Sequence, residues 1–321
     1  MTRFGLVALL ATVSVGAVAI AAADIDPRYK AYAPTSGVSG TLKSVGSDTL
    51  NNLMALWAED FHKVYPGVKI EIEGKGSSTA PPALIAGTAH FGPMSRAMRP
   101  AEIDQFEAKY GYKPTQVRVA VDALAVYVNK DNPLKCVSLA QLDGIFSVTR
   151  NSGSPDITTW DKLGLSGEYA GKPISLFGRN SASGTYAYFK EVALGNGDYK
   201  GTVKEQPGSS AVVQGGAADK FAMGYSGIGY RTADVRPLAV SGRDGQCQEP
   251  SQANAYQDKY AITRFLYIYV NKNPSVALDP LRGEFLKYVL SGTGQEDTVK
   301  DGYYAMPYIS SQEDLTKLGL K

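Results

Sequence analysis

Histidine, cysteine and long apolar runs are all scarce in this chain, and each scarcity excludes something. Only His62 and His90 occur among the 321 residues, and they do not form a ligand-spaced pair. Metal-assisted or histidine-based hydrolysis therefore has little to build on. His62 falls on a predicted helix as a surface residue, and His90 at the end of a turn. No serine sits in a Gly-x-Ser-x-Gly elbow, and no Gly-x-x-x-x-Gly-Lys-Ser/Thr loop is present. After residues 4–20, no stretch approaches the roughly 20 apolar residues that a membrane span needs. Charge of either sign is also nearly absent as an excess: the formal net charge is +2, which would fall to +1 without Arg3. That argues against a basic nucleic-acid surface.

What is present begins with a leader. Arg3 precedes the apolar residues 4–20, and Ala21-Ala22-Ala23 precedes Asp24, the pattern of a secretory signal peptide cleaved after Ala23. The residue directly after that point is Asp24 and not a cysteine, so a free periplasmic protein is expected rather than a lipid-anchored one. The remaining chain is long enough to bury a large core, and two lobes are its natural organisation. Cys136 and Cys247 are the only cysteines. Pairing is expected in an oxidising compartment, although spacing alone does not show that their Cα atoms approach, and two free thiols are the alternative.

Short β-forming runs alternate with amphipathic helical stretches, the pattern of α/β layers. Residues 42–45 and 68–72 read as strands. Between them Leu50, Leu53, Met54, Trp57, Phe61 and Val64 recur at helical spacing, and Pro66-Gly67 stops the helix. A second helix is expected from about Ser78 to Pro82 onward, with two prolines in its first turn. Residues 117–129 (VRVAVDALAVYVN) and 262–271 (ITRFLYIYVN) are long and strongly β-forming, and each ends in Tyr-Val-Asn followed by lysine. As a pair they are expected to cross between lobes as a two-strand hinge. Lobe one is then 24–122 plus 266–321, and lobe two 123–265, with residues 280–300 as a helix on lobe one.

Four polar segments stand where a strand gives way to a helix: Gly46-Ser47-Asp48-Thr49-Leu50, Gly74-Lys75-Gly76-Ser77-Ser78-Thr79, Gly92-Pro93-Met94-Ser95-Arg96 and Arg179-Asn180-Ser181-Ala182-Ser183-Gly184-Thr185. A helix N-terminus offers unpaired N–H groups and the positive end of its dipole, so it suits an anion. Each segment singly is as well explained by ordinary capping; four together point to an oxyanion site. Arg179 sharpens this, because its forked donors match two oxygens of a tetrahedral anion. Gly208-Ser209-Ser210 begins a further helix that borders the cleft or is simply capped there. Tyr186, Tyr188, Tyr225 and Tyr230 read as core and cleft wall.

The segments VGSDTL, GKGSSTAPPAL, GPMSR, AVDALAVYVN and GRNSASGTYAYFKE, in this order and spacing, resemble the periplasmic phosphate-binding proteins of the PstS family along nearly the whole mature chain. The resemblance implies a two-lobed type II binding-protein fold, each lobe a mixed sheet flanked by helices. It further implies a phosphate held in the interlobe cleft without metal or cofactor, delivery to the permease and ATPase of an ABC importer, and a monomeric receptor. By position, Thr49 resembles the family's hydroxyl donor, Leu50 its backbone N–H donor and Ser77 the serine of its second loop. Arg179, Ser183, Gly184 and Thr185 resemble the arginine and helix-start donors of the other lobe. Ser95 stands where the best-known branch has an aspartate that accepts the phosphate proton. That acceptor gives selectivity, since phosphate near neutral pH carries a proton and sulfate does not. Asp122, which interrupts an apolar strand at the hinge, is the first candidate for the role and Asp48 the second. Either also has a structural explanation, Asp122 as a partner of Arg96 or Arg179 and Asp48 as a helix cap. Another oxyanion (sulfate, arsenate or a phosphonate), a phosphate ester hydrolase and a surface adhesion protein remain alternative readings.

Overall fold

The computed structural model describes residues 25–242 and 244–320; the expected signal peptide lies outside the described residues. Two five-stranded mixed sheets form the two lobes. In the first, Gly40–Val45 lies between Val68–Glu73 and Phe91–Met94, parallel to both. Thr263–Val270 and then Thr115–Ala123 continue it antiparallel. The outer strand Val68–Glu73 alternates valine or isoleucine with lysine or glutamate, which covers the core on one side and keeps a charged edge on the other. In the second sheet Ala125–Asn129 pairs antiparallel with Ala222–Ser226 and with Val235–Pro237. Ser175–Arg179 and Lys204–Gln206 extend the far side in parallel. Ala125–Asn129 is buried throughout, as expected of an inner strand covered on both faces.

Each lobe has its own aromatic core. In the first, Trp57 of the helix Asn51–Val64 is fully buried beside Phe61 and Phe285, and its indole N–H donates to Gly294 O at 2.8 Å. In the second, Phe189 stacks on Tyr225 with ring centroids 4.0 Å apart, next to Phe146 and Trp160. Aromatics of this size remove about 150–250 Å² each from water, worth on the order of several kcal/mol apiece.

The run 117–129, expected as one strand, is two. Thr115–Ala123 belongs to the first sheet and Ala125–Asn129 to the second. Between them Leu124 leaves the ladder to donate its N–H to Ile262 O at 3.0 Å. One residue thus changes sheet, and the return strand passes beside it. The boundary expected at 265/266 falls inside Thr263–Val270, whose first residues already face Ala123 and Asp122 across the first sheet. The single helix expected over 280–300 is also two, Pro280–Val289 and Gly292–Lys300. Ser291 caps the second by accepting from Gly294 N–H at 3.3 Å. At Gly294 a Cβ would stand 2.2 Å from Tyr288 O, so only glycine passes this corner. Cys136 and Cys247 lie on the outer strands of a small third sheet, on either side of Ala239–Ser241. They form a disulfide with Cα atoms 6.0 Å apart. No described helix is long and apolar enough to cross a membrane.

Candidate anion site

The four polar segments converge between the lobes. Asp48–Leu50 is a single 3-10 turn leading into Asn51–Val64. Ser77–Thr79 does the same for Ala80–Ala86, whose first turn holds two prolines. Ser95 follows the strand Phe91–Met94 directly. On the other lobe Ser183 caps the helix Gly184–Ala193, accepting from the N–H groups of Thr185 at 3.1 Å and Tyr186 at 3.3 Å.

Their hydroxyls meet. Thr49 Oγ1 and Thr185 Oγ1 are 2.8 Å apart, and Ser47 donates to Ser95 Oγ at 3.0 Å. Ser77 and Ser95 hydroxyls lie 3.2 Å apart, and Ser95 Oγ is 3.5 Å from Thr185 Oγ1. All five side chains are buried, and each hydroxyl can turn either a proton or a lone pair towards a neighbour. Gly184 permits the approach: a Cβ there would stand 2.3 Å from Ser77 Oγ and 2.7 Å from Ser95 Oγ. Beside it the lobes touch through backbone, Ser78 N–H donating to Ala182 O at 3.1 Å. Leu50 buries its side chain in the first core, leaving only its backbone for the site.

Arg179 is buried at the end of Ser175–Arg179. Its Nη1 donates to Ser209 Oγ at 2.7 Å, and Nη2 stands 3.2 Å from Asp48 Oδ2. The same Asp48 oxygen accepts Ser209 N–H at 2.8 Å, at the start of the helix Ser209–Ala218. Asp48 therefore does not cap its own helix; its carboxylate crosses the cleft and clasps the second lobe by a helix N-terminus and a guanidinium. Burial pulls the Arg179 pKa down, opposed by the charge of Asp48. Arg179 Nε has no hydrogen-bond partner among the described residues. Arg179 also lines a cavity of about 350 Å³ with Tyr186, Tyr199 and Lys200.

Asp122 is fully buried. Its partner is neither Arg96 nor Arg179. Arg96 forks onto Glu102 at 2.7 Å, and Arg179 is engaged by Asp48. Asp122 Oδ2 instead accepts from Arg264 Nε at 2.9 Å and Nη2 at 2.8 Å, while Oδ1 accepts Ile228 N–H at 2.9 Å. Arg264 also donates to Ser95 O at 2.7 Å and to Thr185 Oγ1 at 2.9 Å. Sequence reasoning missed Arg264, yet the signal existed. Arg264 is the only charged residue in the run 262–271, Asp122 is the only acidic residue in the run 117–129, and the two face each other across the ladder.

The hydroxyls of Thr49, Ser77, Ser95 and Thr185 thus form one cluster with Gly184 and Ser183 against it. Arg179 forms a second, joined to the first through the consecutive residues Asp48 and Thr49. Neutral donors, helix starts and guanidinium groups from two lobes suit a small, multiply oxygenated anion. Among the described residues no group of histidine, cysteine, aspartate or glutamate is arranged to hold a metal ion.

Comparison with known proteins places the chain among described relatives. Residues 31–293 match the model of the PBP superfamily domain. Phosphate-binding protein PstS of Pseudomonas aeruginosa is 54% identical over 318 residues, 98% of both chains. Phosphate-binding protein PstS of Staphylococcus epidermidis is 28% identical over 287 residues, 87% of this chain and 83% of the relative. Among solved structures, a Clostridium perfringens protein with bound phosphate aligns with a TM-score of 0.71 at 24% identity, covering 84% of this chain and 100% of the other. An ABC-type phosphate transport receptor from Vibrio cholerae aligns with a TM-score of 0.64 at 23% identity, covering 83% and 100%.

Proposed function

The chain belongs to the PstS phosphate-binding proteins of the PBP superfamily, and from that premise we propose how it captures inorganic phosphate between its lobes. It is a phosphate receptor of an ABC transporter and not an enzyme. The observation that carries the site assignment is the cluster of five buried hydroxyls from both lobes, each within 3.5 Å of another.

In this reading Thr49, Ser77, Ser95 and Thr185 donate hydroxyl protons to phosphate oxygens. Leu50 and Gly184 offer backbone N–H groups at helix starts, Ser183 holds the second of these starts in place, and Arg179 supplies charge. Asp122 is favoured over Asp48 as the acceptor of the phosphate proton. Asp48 holds Arg179 and Ser209 across the cleft, whereas Asp122 is joined through Arg264 to Ser95 and Thr185 of the hydroxyl cluster, and its Oδ1 takes one N–H bond and keeps a lone pair. An acceptor there attracts an anion that carries a proton and repels one that does not. Each lobe holds part of the donor set, so phosphate stabilises the closed form through contacts the open form leaves incomplete. The crossings at Leu124 and Ile262 serve as the hinge, so the lobes divide there, at 25–123 plus 263–320 against 125–261. The receptor acts as a periplasmic monomer, exported by its leader, and presents the closed form to a membrane permease with its ATPase.

Calorimetric competition between phosphate and sulfate at two pH values tests this reading. Wild type should prefer phosphate at both, and Asp122→Asn should weaken phosphate binding and narrow the gap to sulfate. Unchanged affinity and preference in Asp122→Asn would remove Asp122 from the role. Equal binding of sulfate by wild type would transfer the site to tetrahedral oxyanions in general.

A further inference from the structure

We infer, taking the phosphate reading as given, that Arg264 is the positioning residue that sorts the donors of this site from its acceptor and so sets its selectivity. Arg264 is buried, with its side chain only 2% exposed. Four of its five N–H donors are directed at protein oxygens: two at Asp122 Oδ2, one at Ser95 O and one at Thr185 Oγ1. Asp122 and Ser95 belong to the first lobe and Thr185 to the second, so one rigid, permanently charged fork spans the cleft from the hinge strand.

Each contact constrains what its partner can do. A hydroxyl that accepts from a guanidinium has a lone pair occupied on that side, and its single proton points elsewhere. For Thr185 the other neighbours are Thr49 at 2.8 Å and Ser95 at 3.5 Å, so its proton is aimed into the hydroxyl cluster. Thr185 is thereby fixed as a donor to the anion. At Asp122 the fork saturates Oδ2, and with Ile228 N–H on Oδ1 the free acceptor capacity of the carboxylate is confined to Oδ1. The bond to Ser95 O fixes the loop that carries the Ser95 hydroxyl. Arg264 in this way divides the lining into hydroxyls that give and one carboxylate oxygen that accepts. An anion bearing one proton satisfies both kinds of group; a fully deprotonated one faces a lone pair.

The test compares Arg264→Gln and Arg264→Lys with wild type by calorimetric titration of orthophosphate and of sulfate. One charge-assisted hydrogen bond is worth roughly 10- to 150-fold in an equilibrium. Arg264→Gln should therefore lose about 100-fold or more in phosphate affinity, and its preference for phosphate over sulfate should shrink by about 10-fold or more. Arg264→Lys keeps the charge but reaches fewer partners, and should recover part of the phosphate affinity while the preference stays reduced. A merely structural arginine would weaken both anions in proportion and leave their ratio unchanged, and that result overturns the inference. If Arg264→Gln does not fold, as judged by circular dichroism, Arg264→Lys is combined with Thr185→Val. Non-additive losses in that cycle support action through Thr185, and strictly additive losses refute it. Failure of wild type to bind phosphate would instead sink the parent reading, so the two failures are distinguishable.

Discussion

Replacing Gly184 by alanine should separate closure of the lobes from the chemistry of the site. The added Cβ would stand 2.3 Å from Ser77 Oγ, 2.7 Å from Ser95 Oγ and 2.9 Å from Ser77 Cβ. Ordinary contact begins near 3.5 Å, so the start of the helix Gly184–Ala193 must retreat from the first lobe by about 1 Å. Interlobe hydrogen bonds such as Thr49–Thr185 at 2.8 Å and Ser78 N–H to Ala182 O at 3.1 Å would then pass beyond useful range. Losing two or three bonds at about 1 kcal/mol each costs about 2–3 kcal/mol of the closed form, roughly 30- to 150-fold in affinity. The same substitution improves helix propensity by up to about 1 kcal/mol, and Gly184 is not among the positive-φ residues. The melting temperature without phosphate should therefore hold or rise. Calorimetry gives the affinity, and small-angle scattering with and without phosphate gives the compaction. Wild-type affinity together with wild-type compaction in Gly184→Ala would refute the idea that this contact limits closure.

Removing the Asp48 carboxylate as Asp48→Ala strips Arg179 and Ser209 N–H of their first-lobe partner; phosphate release, followed by stopped-flow fluorescence, should speed up about 10-fold, and an unchanged rate would show that the clasp does not hold the closed form. Cys136→Ser with Cys247→Ser opens a link spanning 111 residues, which should lower stability by about 2–4 kcal/mol in denaturant titration and leave phosphate affinity within about twofold, since the disulfide lies outside the hydroxyl cluster. Asp301, at the C-terminal end of the helix Gly292–Lys300, is pushed up to about 7 from 3.8 by burial. Its folded pKa exceeds its unfolded one, so its contribution is fully present below about pH 4 and is lost as pH rises through 7. Asp301→Asn should accordingly melt higher than wild type at pH 8 and gain less at pH 5, the difference being about 1–2 kcal/mol after allowance for partial exposure; a pH-independent gain would contradict it.

Much of the architecture was legible because local signals and global fold agree. The spacing of Leu53, Met54, Trp57 and Phe61 and the stop at Pro66-Gly67 place the first helix to within a turn. Three of the four polar segments mark strand-to-helix corners that meet in the cleft; the remaining one, Gly92 to Arg96, is the end of the strand Phe91–Met94, and the next helix starts only at Pro100. Breaks inside continuous patterns were not legible. The run 117–129 is uniformly β-forming, and only the tertiary decision to change sheet at Leu124 divides it. Residues 280–300 keep helical character across Ser291, where the turn is set by Gly294 packed on Tyr288 O. Within the site, residue type pointed to the hydroxyls that cluster in the cleft, but which carboxylate meets which guanidinium depends on register. Asp122 faces Arg264 only because their two strands pair in that alignment, and Asp48 reaches Arg179 only because the lobes close.

Equilibrium dialysis of the purified protein against radiolabelled orthophosphate at micromolar concentration, with excess sulfate in a parallel arm, tests the interlobe phosphate site most directly. Retention of about one phosphate per chain, undiminished by sulfate and abolished in Arg179→Ala, is the expected result. No retention by wild type, or full retention by Arg179→Ala, would contradict it.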